Sequence, residues 1–233
     1  MLMPSVHGGI SVISDLTLDI TSSASEQNIL TLATAAGYNA ATDDTAIIVN
    51  IASGVTISGS STHALRTGAL NADSDLTINI TGSVDGFTGA LGGSVGAAGL
   101  AGGDALFFET LTGGSGTYIV NILSGAFLRG GGGGGGRGGS AGARLSTLVG
   151  KSENYCVSPH RYGSVGANGS AGTFAPGTAG SSGTYPGEHN GYTCPVSIGA
   201  GAGGAGGAQG FAARFGGRSV TVNNSGTVAG STA

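Results

Sequence analysis

Two short stretches of this chain hold most of the side chains that could do chemistry. Residues 143–162, ARLSTLVGKSENYCVSPHRY, and residues 184–198, TYPGEHNGYTCPVSI, carry Tyr155, Tyr162, Tyr185 and Tyr192 together with Lys151, Glu153, His160, Arg161, Glu188 and His189. Tyrosine among Ser, Gly and Asn is the composition of recognition loops, because it gives a large contact area at low cost in side-chain entropy. The candidate contact set is Tyr155, His160, Arg161, Tyr162, Tyr185, Glu188, His189 and Tyr192. The competing reading is that these residues pack on one another and only close off whatever lies beneath.

Both cysteines fall in the same stretches, Cys156 in one and Cys194 in the other. A disulfide tying the two loops would suit an oxidising, extracellular setting. Two reduced thiols would suit assembly in cytoplasm. Cys156, His160, His189 and Cys194 also make a two-Cys, two-His set, although their spacing fits zinc motifs only loosely. The three readings stay open, and no cofactor or resident metal is expected.

Catalysis finds little support. No Ser-His-Asp order, phosphate-binding loop or paired-carboxylate motif stands out. The run GGGGGGGRGG at 130–139 lacks the terminal Lys-Ser/Thr of a nucleotide loop. His7 and His63 lie outside the two stretches and read as structural. The chain is therefore not expected to be an enzyme.

Bulk composition narrows the rest. Of 233 residues 50 are glycine, none is tryptophan, and charged residues make up 9%, against about 25% in an ordinary soluble domain. Eight Lys and Arg, scattered from Arg66 to Arg218 in a chain of net charge −4, cannot cluster into a nucleic-acid footprint. No run approaches the ~18–20 apolar residues that cross a bilayer. The start, MLMPSVHGGISVIS, lacks the basic n-region and compact apolar core of a signal peptide, so the ordinary secretory route is not expected.

The elements that must position the loops differ along the chain. ISVISDLTLDIT (10–21) alternates apolar and polar, with Leu16, Leu18 and Ile20 on one face of a strand. In SASEQNILTLATAAGY, Ser23 and Glu26 have capping-box spacing, Ile29, Leu32, Ala33 and Ala36 share a helical face, and Gly37 suits the position past the C-cap. One short helix is expected there. IIVNIASGVTISG (47–59) and YIVNILSGAFLRG (118–130) share V-N-I-x-S-G, and LTINITGSVDG (76–86) and SVTVNNSGTVAG (219–230) share T-φ-N-x-x-G-x-V-x-G. Each copy reads as strand, tight turn, strand, with Asn50, Asn79, Asn121 and Asn223 read as turn formers. Their spacings of 29, 42 and 102 residues depart from a regular solenoid.

Glycine tracts fill the gaps. Glycine recurs every third residue at 86, 89 and 92, at 93, 96, 99 and 102, at 163, 166, 169 and 172, at 177, 180 and 183, and at 201, 204, 207 and 210. Period three is that of a left-handed helix of three residues per turn rising about 3.1 Å per residue. A flexible linker needs no such phase, and collagen needs long unbroken triplets rich in proline, whereas this chain has 5 prolines. A bundle of polyglycine II helices from one chain fits better, since every third missing side chain lets backbones approach and pair.

The expected fold is an all-β proximal domain with one short helix, residues 1–129, completed by a C-terminal strand within 218–233. A polyglycine II bundle, 130–217, follows, with irregular tip loops at 143–162 and 184–198. On this path 130–142 runs outward, 163–172 returns, TFAP (173–176) turns near the base, 177–183 runs out again and 199–217 comes home. About ten residues per pass makes a slab roughly 30 Å tall.

The order NILTLATAAGY, VNIASGVTISGSSTHALRTGAL, DLTINITGSVDG and then phased glycine resembles the glycine-rich receptor-recognition proteins, the distal adhesins, of tailed-phage tail tips and tail fibres. The resemblance covers residues 25–130 and 218–230 for the proximal part and 130–217 for the tracts and loops. It implies a virion protein of the distal tail, assembled in the host cytoplasm and released by lysis, whose loops 143–162 and 184–198 contact a host surface receptor, an outer-membrane protein or polysaccharide. Implied partners are other tail or fibre proteins, with a trimer, or a place on a trimeric fibre, following from fibre symmetry. A tryptophan-bearing attachment segment is missing from this sequence. DALFFETLTGGSGT (104–117) is read as core, with a third contact as the alternative. Two other classes stay in view: a structural tail cap or connector without receptor contact, and a bacterial β-solenoid surface adhesin.

Overall fold

The computed structural model describes residues 15–110, 113–141, 143–145, 160–162, 164–184, 197–198 and 200–233. The sequence copies form rungs of a three-sided parallel stack. The first rung is β1 (Asp15–Ile20), β2 (Ala24–Ser25) and β3 (Gln27–Asn28), followed by α1 (Ile29–Ala35). The second is β4 (Ala46–Ile51), β5 (Thr56–Ser58) and β6 (His63–Arg66), and the third is β7 (Leu76–Ile80), β8 (Ser83–Asp85) and β9 (Asp104–Phe107). The fourth begins with β10 (Tyr118–Ile122) and β11 (Phe127–Arg129). After an excursion that includes β12 (Ala143–Leu145), β13 (His160–Tyr162) and β14 (Ser197–Ile198), it closes with β15 (Ala213–Arg214). A last rung holds β16 (Val220–Asn224) and β17 (Thr227–Ala229), with Thr232 bridged to Ala213 on the third side.

Sheet I runs β1-β4-β7-β10-β16, sheet II β17-β11-β8-β5-β2 and sheet III β15-β9-β6-β3, all parallel. Strand patterning works as the alternation in β1 suggests: Leu16, Leu18 and Ile20 point inward and their neighbours outward. Inward residues stack in rows, such as Leu18, Val49, Ile78, Val120 and Val222 in sheet I and Ile57, Val84, Leu128 and Val228 in sheet II. Each fully buried member contributes about 1.5–3 kcal/mol of apolar transfer.

Strand, turn, strand holds at each copy, but the two strands of a copy pair with the rungs above and below rather than with each other. Gly54 and Gly125 turn the first corner in the left-handed region, at φ +78° and +83°. The asparagines are not turn formers. They lie on the outer face of sheet I in one register column with Asp19. Each passes an amide hydrogen to the rung before it, from Asn223 to Asn121, Asn79, Asn50 and finally Asp19, at 2.7–2.8 Å.

The irregular spacing comes mainly from insertion between sheets II and III. That corner is Glu26 alone in the first rung and residues 59–62 in the second, but 86–103 in the third and 130–212 in the fourth. The solenoid keeps its register because the extra chain leaves and returns at one corner.

The helix forms without the expected capping box. Asn28 is the N-cap, its Oδ1 accepting from the Leu30 N–H at 3.0 Å, and Gly37 takes φ +102° after the C-cap Ala36. Ser23 instead accepts from the Thr56 N–H, and Glu26 accepts from Ser60 and Ser61. Both side chains clip the first rung to the second.

Candidate functional site

The glycine excursions start as extensions of sheet II. The pairing of β8 with β11 runs on past Asp85 and Arg129, since Gly86, Gly89 and Gly92 donate to the carbonyls of Arg129, Gly132 and Gly135. Segment 130–140 is central, with residues 130–136 and 138–139 buried. Gly131, Gly134 and Arg137 donate to Gly103, Leu100 and Ala97, while Gly133, Gly136 and Gly139 donate to Ala175, Thr178 and Ser181. Its carbonyls at 133, 136 and 139 accept from Gly172, Gly169 and Gly166, and those at 131, 134 and 137 from Gly210, Gly207 and Gly204. Residues three apart therefore face the same neighbour, a rotation of about 120° per residue.

Such approach needs the missing side chains. A Cβ on Gly132 would overlap the carbonyl oxygen of Gly172, and one on Gly134 that of Ala90. Buried backbone groups must pair, and those of 130–140 pair with the segments around it rather than with one another.

One end of this assembly joins the solenoid. Gly130 donates to Ala229 at 2.8 Å, and the turn at 173–176 sits beside β11. The Arg129 guanidinium lies over the rings of Phe127 and Phe174, 4.5 and 4.1 Å from their centroids, while it holds Asp85 with two 2.8 Å bonds. Gln209 Nε2 donates to the Phe174 carbonyl. Nearby, Asp104 accepts from the Phe211 N–H and from Arg214 and faces His63 Nδ1 at 3.4 Å. His63 stacks on Phe107 with centroids 4.2 Å apart, so His63 is structural, as the sequence suggests; His7 lies outside the described residues. In 104–117, Phe108 is buried against Tyr118 and Phe215, which makes that residue core.

At the opposite end, Gly201 donates to Ser140, Gly183 to Gly201, and the hydroxyls of Ser164 and Thr184 lie 2.7 Å apart. Just beyond, β13 and β14 flank β12 in an antiparallel sheet, with His160 opposite Leu145, Tyr162 opposite Ala143, and Ser197 opposite Arg144. The stems of both tyrosine-bearing loops are thus gathered at the end away from the solenoid. Of the candidate contact set, His160, Arg161 and Tyr162 occupy β13. Tyr155, Tyr185, Glu188, His189 and Tyr192, with Cys156 and Cys194, lie outside the described residues. Among the described residues no group of His, Cys, Asp and Glu could hold a metal ion, and no helix is long and apolar enough to cross a membrane.

The sequence reading counts 86–102 among the period-three glycine tracts but leaves it in the proximal domain and names no contact residue there. Its tip lies at the same far end, where Gly96 donates to Gly138, and Arg137 Nε binds the Gly92 carbonyl at 2.9 Å. Leu91, Val95 and Leu100 are exposed along it. Their only signal was that large apolar residues interrupt a tract otherwise made of Gly, Ala, Ser and Thr.

Among curated protein sequences none matches this chain. Among solved structures it is similar to the crystal structure of the gp37-gp38 adhesin tip complex of the bacteriophage S16 long tail fibre. That match has a TM-score of 0.50 and 20% identity, and covers 94% of this chain and 82% of the other. It speaks for the fold, whereas a family model described as phage tail fibre adhesin Gp38 matches residues 15–233. With nearly the whole chain inside that match, this protein belongs to the phage tail fibre adhesin Gp38 family.

Proposed function

We propose that this chain is the host-recognition tip of a phage tail fibre and acts by binding, without catalysis. In this reading the glycine segments 86–103, 130–141, 164–184 and 200–210 are polyglycine II helices bundled into a rigid platform. The platform presents loops 143–162 and 184–198 to a receptor on the host surface, an outer-membrane protein or polysaccharide. Tyr155, His160, Arg161, Tyr162, Tyr185, Glu188, His189 and Tyr192 make the contact, and a Cys156–Cys194 disulfide would tie the loops. The solenoid serves as the base that joins the fibre, in keeping with a similar structure that is a complex of two fibre proteins. A virion location, assembly in host cytoplasm and association with a trimeric fibre belong to the same reading. The domain division it favours puts 86–103 with the glycine unit, because that hairpin shares hydrogen bonds with 130–140.

One observation carries the reading: a backbone-bonded slab gathers the described stems of both tyrosine-rich loops at the end farthest from the solenoid. Rigid scaffolds that display variable loops are a general design for binding. The test replaces 146–159 and 185–196 with Gly-Ser segments of equal length and measures adsorption of labelled protein to host cells. Loss of adsorption with an unchanged melting temperature supports the reading, and undiminished adsorption overturns it.

A further inference from the structure

Charge is divided along this chain. Of its twelve acidic residues ten precede residue 110, whereas of its eight Lys and Arg seven follow it. In the solenoid and at its junction with the slab the arginines are matched by acids: Arg66 faces Glu109, Arg129 holds Asp85 and Arg214 holds Asp104. Arg137 and Arg218 donate to the main-chain carbonyls of Gly92 and Ala72. The glycine segments 86–103, 130–141, 164–184 and 200–210 contain no Asp or Glu.

Two further cations meet at the far end. β12 is the central strand of the distal sheet, and its Arg144 is the register partner of Arg161 in β13 and of Ser197 in β14. Residues directly opposite in an antiparallel pair share a face of the sheet, and like charges so placed repel. The row therefore reads Arg161, Arg144, Ser197, with no acid in any of the three strands. An anion bound at such a row turns the repulsion into attraction, through charge-assisted hydrogen bonds from both arginines.

The charge of the ligand follows. A phosphate monoester carries about −1.5 to −2 near pH 7, which balances two arginines, and its oxygens suit their planar forks. A protein carboxylate balances only one. We propose that Arg144 and Arg161, opposed in register across β12 and β13, form a binding site for a phosphate monoester on the host's surface polysaccharide. Ser197, in the same row, supplies a hydroxyl donor. This rests on the host-recognition reading and narrows it: the receptor is the polysaccharide rather than a protein, and Arg144 joins the contact set. The acid-rich solenoid is repelled by the same phosphates, so the field of the whole chain turns the distal end toward them.

The experiment titrates purified chain against immobilised surface polysaccharide extracted from host cells, before and after a phosphatase has removed its monoesters. The unaltered chain is expected to bind the phosphorylated sample more tightly by about tenfold or more, as for a hydrogen bond to a charged group, and the gap should narrow at high salt. Arg144→Gln and Arg161→Gln are each expected to abolish the preference without lowering the melting temperature, since each relieves the like-charge pair. Arg66→Gln, the same charge change in the solenoid, is expected to keep it. Equal binding by the unaltered chain before and after phosphatase overturns the assignment, and so does a preference that survives both distal variants. A lower melting temperature of either variant, with no polysaccharide present, also overturns it by showing that Glu153 or Glu188 of the chain itself holds the arginines. Binding to host outer-membrane protein freed of polysaccharide, abolished by Arg144→Gln, overturns it in favour of a protein carboxylate. Adsorption to host cells, measured alongside, separates the two readings: adsorption without phosphate preference sinks only this site, and no adsorption sinks host recognition itself.

Discussion

The side-chain amide of Asn121 donates to Asn79 Oδ1 at 2.7 Å across 42 residues of sequence, and the same two residues are register partners in the parallel sheet. The insertion between them, including the whole hairpin 86–103, has not shifted that register by one position. An asparagine column of this kind penalises any slip, because sliding a strand by one residue would face amides with apolar side chains.

Asn121 both donates to Asn79 and accepts from Asn223, whereas Asn223 makes one ladder bond. Asn121→Ala is therefore expected to cost about 1–3 kcal/mol, through two lost bonds and the half-buried Asn79 left without its donor. Asn223→Ala should cost less than half of that. Urea unfolding of the two variants checks the ordering, and equal effects would mean that the column does not act as a unit.

The same column shows where the sequence was legible and where it was not. The V-N-I repeat marked β4 and β10 as equivalent, and the alternation around Leu16 and Leu18 marked a strand face. Nothing local separates an asparagine that turns the chain from one stacked in a ladder, because the distinction lies in what sits above and below it. The capping box failed likewise: Ser23 and Glu26 have the right spacing, but their oxygens are taken by Thr56, Ser60 and Ser61 of the next rung. Period-three glycine, in contrast, marks positions where another backbone comes close, as at Gly132 and Gly134, a signal that lies in the tract itself.

Glycines of the slab should divide sharply by position. A Cβ on Gly134 would overlap the Ala90 carbonyl oxygen, whereas one on Gly93 meets nothing within 4 Å. Since the obstacle is backbone on a buried segment, Gly134→Ala is expected to cost about 3 kcal/mol or more. Gly93→Ala should stay within about 0.5 kcal/mol of the parent. Hydrogen exchange at Gly131, Gly134 and Arg137 reads the effect locally, and protection unaltered by Gly134→Ala would count against close-packed segments.

Arg129 is the latch between solenoid and slab, held by Asp85 and placed over Phe127 and Phe174. Arg129→Met keeps the apolar stem and removes the charge. It leaves Asp85, a largely buried carboxylate, without its partner, and a loss of about 2–3 kcal/mol is expected. Phe174→Ala removes one stacked ring, and a double-mutant cycle between Arg129 and Phe174 should return about 0.5–1 kcal/mol of coupling. Zero coupling would reduce the stacking to coincidence.

Acid should loosen the protein in two steps, each traceable to one side chain. Burial holds the His63 imidazole below its ordinary value of 6.5, against the pull of Asp104 and Glu109 and with the push of Arg214 and Arg66. A folded pKa below the unfolded one means that the unfolded chain binds the proton first. The His63 contribution is therefore whole above pH 6.5 and drains as the pH falls below it. Glu26 adds the second step. Hydrogen bonds from Ser61 and Ser60 lower its carboxyl from 4.5 to about 2, so its contribution is present above pH 4.5 and disappears between there and pH 2. Melting temperatures from pH 8 to pH 3 should fall first in the histidine range and again in the carboxylate range. His63→Gln flattens the first decline and Glu26→Gln steepens nothing but removes its share of the second; a His63→Gln curve parallel to the parent between pH 7 and 5 would show that the imidazole near Asp104 is not linked to folding.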